Sequence, residues 1–193
     1  MSATITLPGF ADPVGDAQAT FRAVLDAMAR PGTLREAGAN LSPAAPLDCA
    51  TAAVLLALVD NETPLWIDGA ATEASDWLAF HCGAAIIDRQ ADAEFALALA
   101  LPDLAAFSSG TDEAPESSVT MIVQLAALGH GARYRLTGPG LREPVTLAAS
   151  GLPPNFPAIW QRNHALFPRG VDIVLCADTT LTALPRSVMI EEA

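Results

Sequence analysis

The chain has 193 residues, 51% hydrophobic and 17% charged, and its 22 acidic against 10 basic side chains leave a formal charge of −12. So acidic a balance excludes a nucleic-acid binder that works by neutralising phosphates with a basic face, and the hydrophobic content excludes a disordered chain. All ten basic residues are arginine; without lysine the chain can form no Schiff base and can supply no Walker-type phosphate loop.

Asp16 to Ala29 carries Phe21, Val24, Leu25 and Met28 at helical spacing and is stopped by Pro31-Gly32, which predicts an amphipathic helix. Asp48 can cap a second helix that runs to Val59, apolar nearly all round and therefore buried. Thr63 to Ile67 reads as a strand. Thr72 opens a third helix that ends near Cys82-Gly83, and Ala84 to Asp88 and Glu94 to Ala100 read as short strands. Ser108 to Ser118, SSGTDEAPESS, is a polar, acidic stretch of turn formers, a loop of functional length. Val119 to Leu128 is a continuous apolar run that predicts one strand buried on both faces. Arg133 to Thr137 continues as a strand into the turn Gly138-Pro139-Gly140, and Pro157 to Leu166 is helical, with Trp160 and His164 four apart. Val171 to Cys176 predicts a buried strand, and Thr180 to Leu184 and Ser187 to Ile190 alternate like paired outer strands.

Interleaved helices and strands, without a linker, a repeat or a composition shift, predict one α/β domain over residues 1–193, built on a mixed sheet with an antiparallel part late in the chain. No apolar run reaches the roughly 18–20 residues of a membrane helix; the longest, Ala50 to Val59, ends in Asp60-Asn61-Glu62. The opening MSATITLPGF lacks the basic and apolar regions of a signal peptide. Cys49, Cys82 and Cys176 are far apart and lack metal-ligand spacing, so they read as buried thiols in a reducing compartment, and no metal site is expected. The expectation is a cytoplasmic protein that binds neither membrane nor nucleic acid.

The residues able to bind an anion admit more than one reading. Arg169, in FPRGVD, lies between a helix end and a buried strand, where its guanidinium fork can meet phosphate or phosphonate oxygens or pair with Asp172 or a helix carboxylate. Arg186, in LPRS, is a candidate for ligand binding, subunit contact or plain exposure. Gly138 and Gly140 can bring backbone amides to an anion or simply make a tight hairpin turn. Ser109, Gly110 and Thr111 outline a phosphate cradle, but Asp112, Glu113 and Glu116 beside them repel phosphate unless magnesium bridges the two; a subunit-docking loop fits equally. His81 shares a helix face with Trp77 and Leu78 and reads as a core histidine, and His130, between two glycines, as a turn residue. His164 is the general-base candidate. No self-sufficient catalytic constellation is present in the sequence.

Six segments, taken in order, resemble one family: DAQATFRAVLDAMARPG (Asp16 to Gly32), DNETPLW (Asp60 to Trp66), SSGTDEAPE (Ser108 to Glu116), LTGPG (Leu136 to Gly140), FPRGVD (Phe167 to Asp172) and LPRS (Leu184 to Ser187). They span nearly the whole chain and resemble PhnH, the H subunit of the bacterial carbon–phosphorus lyase core complex. The resemblance implies a three-layer αβα sandwich with a mixed sheet, akin to the large domain of pyridoxal-phosphate-dependent transferases but without that cofactor or its lysine. It implies a homodimer when free and G, I and J subunits as partners. With the L subunit, such an assembly joins an alkylphosphonate to the ribose of ATP, with magnesium, and releases adenine. The resulting ribose 1-phosphonate 5-triphosphate is cleaved at carbon–phosphorus by the J subunit, and the nucleosidase chemistry falls to the I subunit. This chain is then an accessory, not itself catalytic. The rival expectation is a stand-alone dimeric enzyme using His164, Arg169 and an acidic loop residue, or a binding module for a phosphorylated or phosphonate small molecule.

Overall fold

The computed structural model describes residues 7–193. In chain order the elements are α1 (Pro13–Ala29), β1 (Arg35–Glu36), α2 (Cys49–Leu58), β2 (Pro64–Ile67), α3 (Ser75–Cys82), β3 (Ala85–Ile87), β4 (Phe95–Ala98), β5 (Thr120–Gln124), β6 (Ala127–Thr137), β7 (Val145–Ser150), α4 (Phe156–His164), β8 (Asp172–Ala177), β9 (Thr180–Leu184) and β10 (Met189–Glu192). Seven strands form one mixed sheet in the order β1-β9-β8-β5-β4-β2-β3; the run from β8 to β3 is parallel, and β9 and β1 are antiparallel additions. A second, antiparallel sheet has the order β10-β6-β7.

Alternation along the central strands divides the apolar side chains between two cores. Leu97, Ile122, Val174, Cys176, Leu181 and Ala183 face α1, α2 and α3. Ala96, Met121, Val123, Ile173, Leu175 and Leu184 face the second sheet and α4. The fold is therefore α/β with a mixed sheet. Helices cover one face, while a three-stranded sheet and a single α-helix cover the other, where the sandwich expectation placed helices.

The run Val119–Leu128 is not one strand. Leu125 N–H still donates to Cys176 O of the large sheet, at 2.7 Å, and Ala126 N–H already donates to Ser150 O of the small one, at 3.1 Å. The chain changes sheets at that peptide, and a continuous apolar run carries no mark of the change. Likewise β9 lies inside the large sheet beside β8, not beside the last strand. The turn at Pro185–Val188 carries the chain to the other layer, where β10 pairs with β6. Trp160 Nε1–H donates to Val188 O at 2.6 Å and fastens that crossing. The third helix starts later than expected: Thr72 lies in the 3-10 turn Gly69–Ala74, and the α-helix begins at Ser75.

Side chains of the chain itself close the carboxyl edge of the parallel strands, the usual ligand edge of open α/β sheets. Asp48 was expected to cap α2, but its side chain makes no cap hydrogen bond; its Oδ2 accepts from Asp178 N, at 3.0 Å, in the β8–β9 turn. Gln124, at the end of β5, accepts from Asp48 N at 2.8 Å and donates to Pro46 O at 2.9 Å. Asp68, after β2, accepts from Ala70 N and Leu99 N. That edge is stitched shut from β8 to β2.

Among the described residues no helix is long and apolar enough to cross a membrane. The three cysteines are free thiols, and burial pushes Cys82 and Cys176 up to about 12. The native state therefore favours the protonated thiols. Their contribution to stability is whole below the ordinary thiol value of 9.0 and is lost as pH rises toward about 12. At pH 8, a chromogenic disulfide reagent should leave Cys82 and Cys176 unmodified in the folded chain and titrate every thiol in denaturant. Rapid reaction of all thiols without denaturant would contradict this packing.

Candidate functional site

Three segments necessarily meet at the opposite, amino-terminal edge of the sheet. Residues 108–118 lead into β5, residues 165–171 lead into β8, and the chain leaves β9 at Leu184, which pairs with Ile173. This convergence brings Ser109, Gly110, Thr111, His164, Arg169 and Arg186 to one side of the fold.

Arg186 organises the edge. Its Nε lies 3.1 Å from both carboxylate oxygens of Asp172, its terminal nitrogens donate to Pro115 O at 2.6 Å and to Ser118 Oγ at 2.5 Å, and a further charged contact runs to Asp172 Oδ2. Its backbone N–H also donates to Asp172 Oδ1, at 2.7 Å. Both side chains of the pair are 14% exposed. Of the readings open for Arg186, the geometry favours none: the guanidinium spends nearly all its donors inside the chain, locking the 108–118 loop to β8.

Arg169 is not paired with Asp172. Its Nε sits 3.1 Å from Asp112 Oδ1, in the acidic loop, without the alignment of a hydrogen bond, and both side chains are well exposed. Gly170 N–H donates to Ser109 O at 2.8 Å, so the FPRGVD turn and the SSGTDEAPE loop hold each other by backbone and by charge. The loop also consumes the amides expected to cradle an anion: Gly110 N–H donates to Ser108 Oγ, and Thr111 N–H to Ala114 O, while Thr111 Oγ1 accepts from Ala114 N.

His164 Nδ1 is 2.9 Å from Arg186 O. A carbonyl only accepts, so Nδ1 carries the proton and Nε2 is the basic nitrogen. The ring lines a small hollow with Trp160, Met189 and Glu191, separate from the groove that Ser109 lines. Gly138 and Gly140 line neither. Gly140, at φ +84°, backs onto the end of α1, where a Cβ would lie 2.3 Å from Ala29 O; Leu141 N–H is spent on Gly138 O. His81 Nε2 contacts Leu7 O at 3.0 Å, and its ring packs on Trp77.

The space at this edge is a groove of about 330 Å³ with an apolar floor of Leu104, Phe107, Ile159, Leu166 and Val171. Asp103, Ser109 and Arg162 supply its polar rim. Buried Asn163 shapes the floor: its amide donates to Val171 O and accepts from Val171 N, both at 2.8 Å. Among the described residues no carboxylate lies within 4 Å of the Arg162 guanidinium. Neither Arg162 nor Asn163 stands out in the sequence beside His164. The 3.6-residue period separates their faces from that of His164, and that signal could have placed them elsewhere. A small molecule with an apolar body and one anionic end fits such a groove.

Residues 8–191 match the family described as bacterial phosphonate metabolism protein (PhnH). The chain is 40% identical over 187 residues to "Alpha-D-ribose 1-methylphosphonate 5-triphosphate synthase subunit PhnH" of Rhizobium meliloti, covering 94% of each chain. It is 34% identical over 84 residues to "Putative C-P lyase subunit protein HtxG" of Stutzerimonas stutzeri, covering 42% of each.

Proposed function

Because the chain belongs to the PhnH family of bacterial phosphonate metabolism proteins, we propose that it is an accessory subunit of a carbon–phosphorus lyase core complex. In this reading it joins G, I and J subunits. With the L subunit the assembly converts ATP, with magnesium, and an alkylphosphonate to ribose 1-alkylphosphonate 5-triphosphate and adenine. The name of the Rhizobium meliloti relative supports that reaction for this chain.

One observation of the molecule carries the subunit reading. The outward face of α1 presents Val14, Phe21 and Leu25 at 68%, 50% and 57% exposure, in one stripe beside Ala57 of α2. Large apolar side chains gathered at helical spacing on the solvent side of an otherwise acidic chain call for a protein cover. In the free chain that cover is a second copy. The groove at Ser109 and Arg162 supports a further role, in shaping a site for the phosphonate or the nucleotide.

Co-expression with G, I and J subunits, affinity capture of this chain and mass determination of the eluate test the proposal. A stoichiometric assembly is expected. A partner-free dimer would overturn the accessory role and leave a binding module, with ATP and methylphosphonate as the first ligands to titrate.

A further inference from the structure

Strand β6 contains a device that the site above does not use. Leu128 and Ala132 both register with Ala149 of β7, so Gly129, His130 and Gly131 have no partners in the ladder and are thrown outward. The two glycines serve different ends. At Gly131, φ +104°, a Cβ would fall 2.2 Å from Ser150 Oγ and 2.6 Å from Ala149 O, so this glycine lets the bulge clamp onto β7. Ser150 Oγ–H completes the clamp by donating to His130 O at 3.2 Å. At Gly129, φ +82°, a Cβ would meet only Leu34 Cδ1, at 3.7 Å. The space above Gly129 is open, and its floor is bare backbone.

That space is a cleft of about 220 Å³ bounded by the Gly32–Leu34 segment, Gly129, Arg133 and Thr146–Ala148. Its wall, like that of the hollow at Arg22 on α1, carries an arginine and no carboxylate. Asp103 lines the groove at the sheet edge, and Asp16 and Glu36 line the hollow beside α1. This cleft has no carboxylate in its wall, and Arg133 is its single charged side chain. Among the described residues six arginines make ion pairs within 4 Å, and Arg133, like Arg22, Arg142 and Arg162, makes none. In a chain of net charge −12, this cleft joins an unneutralised guanidinium to a floor of bare glycine backbone, whereas the hollow at Arg22 is lined by Phe21 and Leu25.

We infer that the cleft beneath the Gly129–Gly131 bulge binds a phosphate-class oxyanion, held by the Arg133 guanidinium and the Thr146 hydroxyl over the exposed backbone of Gly129. A guanidinium pairs with two oxygens of such a group at once, and a glycine backbone lets it approach closely. The volume suits a phosphoryl or phosphonyl group rather than a whole nucleotide, whose sites begin near roughly 300 Å³. The inference stands apart from the subunit reading, since it concerns the chain alone.

Titration of the ¹⁵N-labelled full chain with inorganic phosphate, methylphosphonate and ATP, each separately, tests it. The expected result is saturable shifts of the Gly129, Arg133 and Thr146 amides, with the strongest of the three ligands identifying the source of the group. Arg133→Gln should weaken binding at least tenfold, Arg133→Lys should restore part of it, and Arg142→Gln, another arginine without an ion pair, should leave it unchanged. Equal weakening by Arg133→Gln and Arg142→Gln would show unspecific attraction and overturn the site, as would the lack of saturable shifts with any of the three ligands.

Discussion

Arg186→Met should lower the stability of the folded chain by about 3 kcal/mol, the lower end of the cost of breaking a buried pair by removing one partner. For a chain of this length that corresponds to a fall of roughly 6–12 °C in melting temperature. The side chain leaves three groups behind. Asp172 keeps a charge at a largely buried position, Pro115 O loses its donor, and Ser118 Oγ loses a partner. An uncompensated buried charge costs more than the net worth of the pair, because desolvation is no longer offset. The double variant Arg186→Met/Asp172→Leu should therefore be more stable than Arg186→Met alone. Thermal melts of the single and double variants measure this coupling. Hydrogen exchange adds a local readout: the amides of Gly170 and Val119, which close the loop on Ser109 and Ser108, should lose protection before the amides of β5 and β8. A cost below about 0.5 kcal/mol, the range of an exposed pair, would mean that the loop is held without Arg186.

The same pair shows where reading the sequence stops. Asp172 sits three residues from Arg169, and proximity in sequence suggests that they pair. The fold gives Asp172 to Arg186 instead, because Ile173 registers with Leu184 and the chain beyond each strand end must then lie side by side. That register is a tertiary fact with no local signature. Elements whose period depends on their own residues were legible: α1, the all-apolar α2, and the parallel strands β5 and β8, buried on both faces. Two elements went unseen. Strand β1 is two residues long and has no period at all, and β7 has inward Leu147 and Ala149 but Ala148 between them, which blurs the alternation. The candidate site divides along the same line. Ser109 and Arg169 were found by their turn-rich contexts and do come to one edge. The acid-free cleft at Arg133 depends on a bulge that exists only once β6 and β7 are in register.

If the proposed dimer pairs through α1, Phe21→Asp combined with Leu25→Asp should make the chain a monomer and raise the dissociation constant by roughly 100-fold or more. At 100° per residue, Val14, Gln18, Phe21 and Leu25 fall within an arc of about 60° on α1, turned away from buried Thr20 and Ala27. Their spacing is symmetrical about the middle of the stripe. When two copies of α1 cross antiparallel on a two-fold axis, Val14 of one meets Leu25 of the other and Gln18 meets Phe21, a self-complementary patch of the kind a two-fold interface requires. Burying a phenylalanine or leucine completely is worth about 1.5–3 kcal/mol, and each acts twice in the pair, enough to offset part of the cost of association. Aspartate at both positions places four carboxylates in the same patch. These side chains already face solvent, so the folded monomer should melt within about 0.5 kcal/mol of the parent. Sedimentation equilibrium of parent and variant decides the matter. A variant that remains dimeric moves the pairing face elsewhere, whereas a monomeric parent at tens of micromolar reserves α1 for another subunit. The variant's co-elution with G, I and J subunits then separates these roles. Loss of both self-association and co-elution means that one surface serves both, so that joining the assembly must first break the dimer.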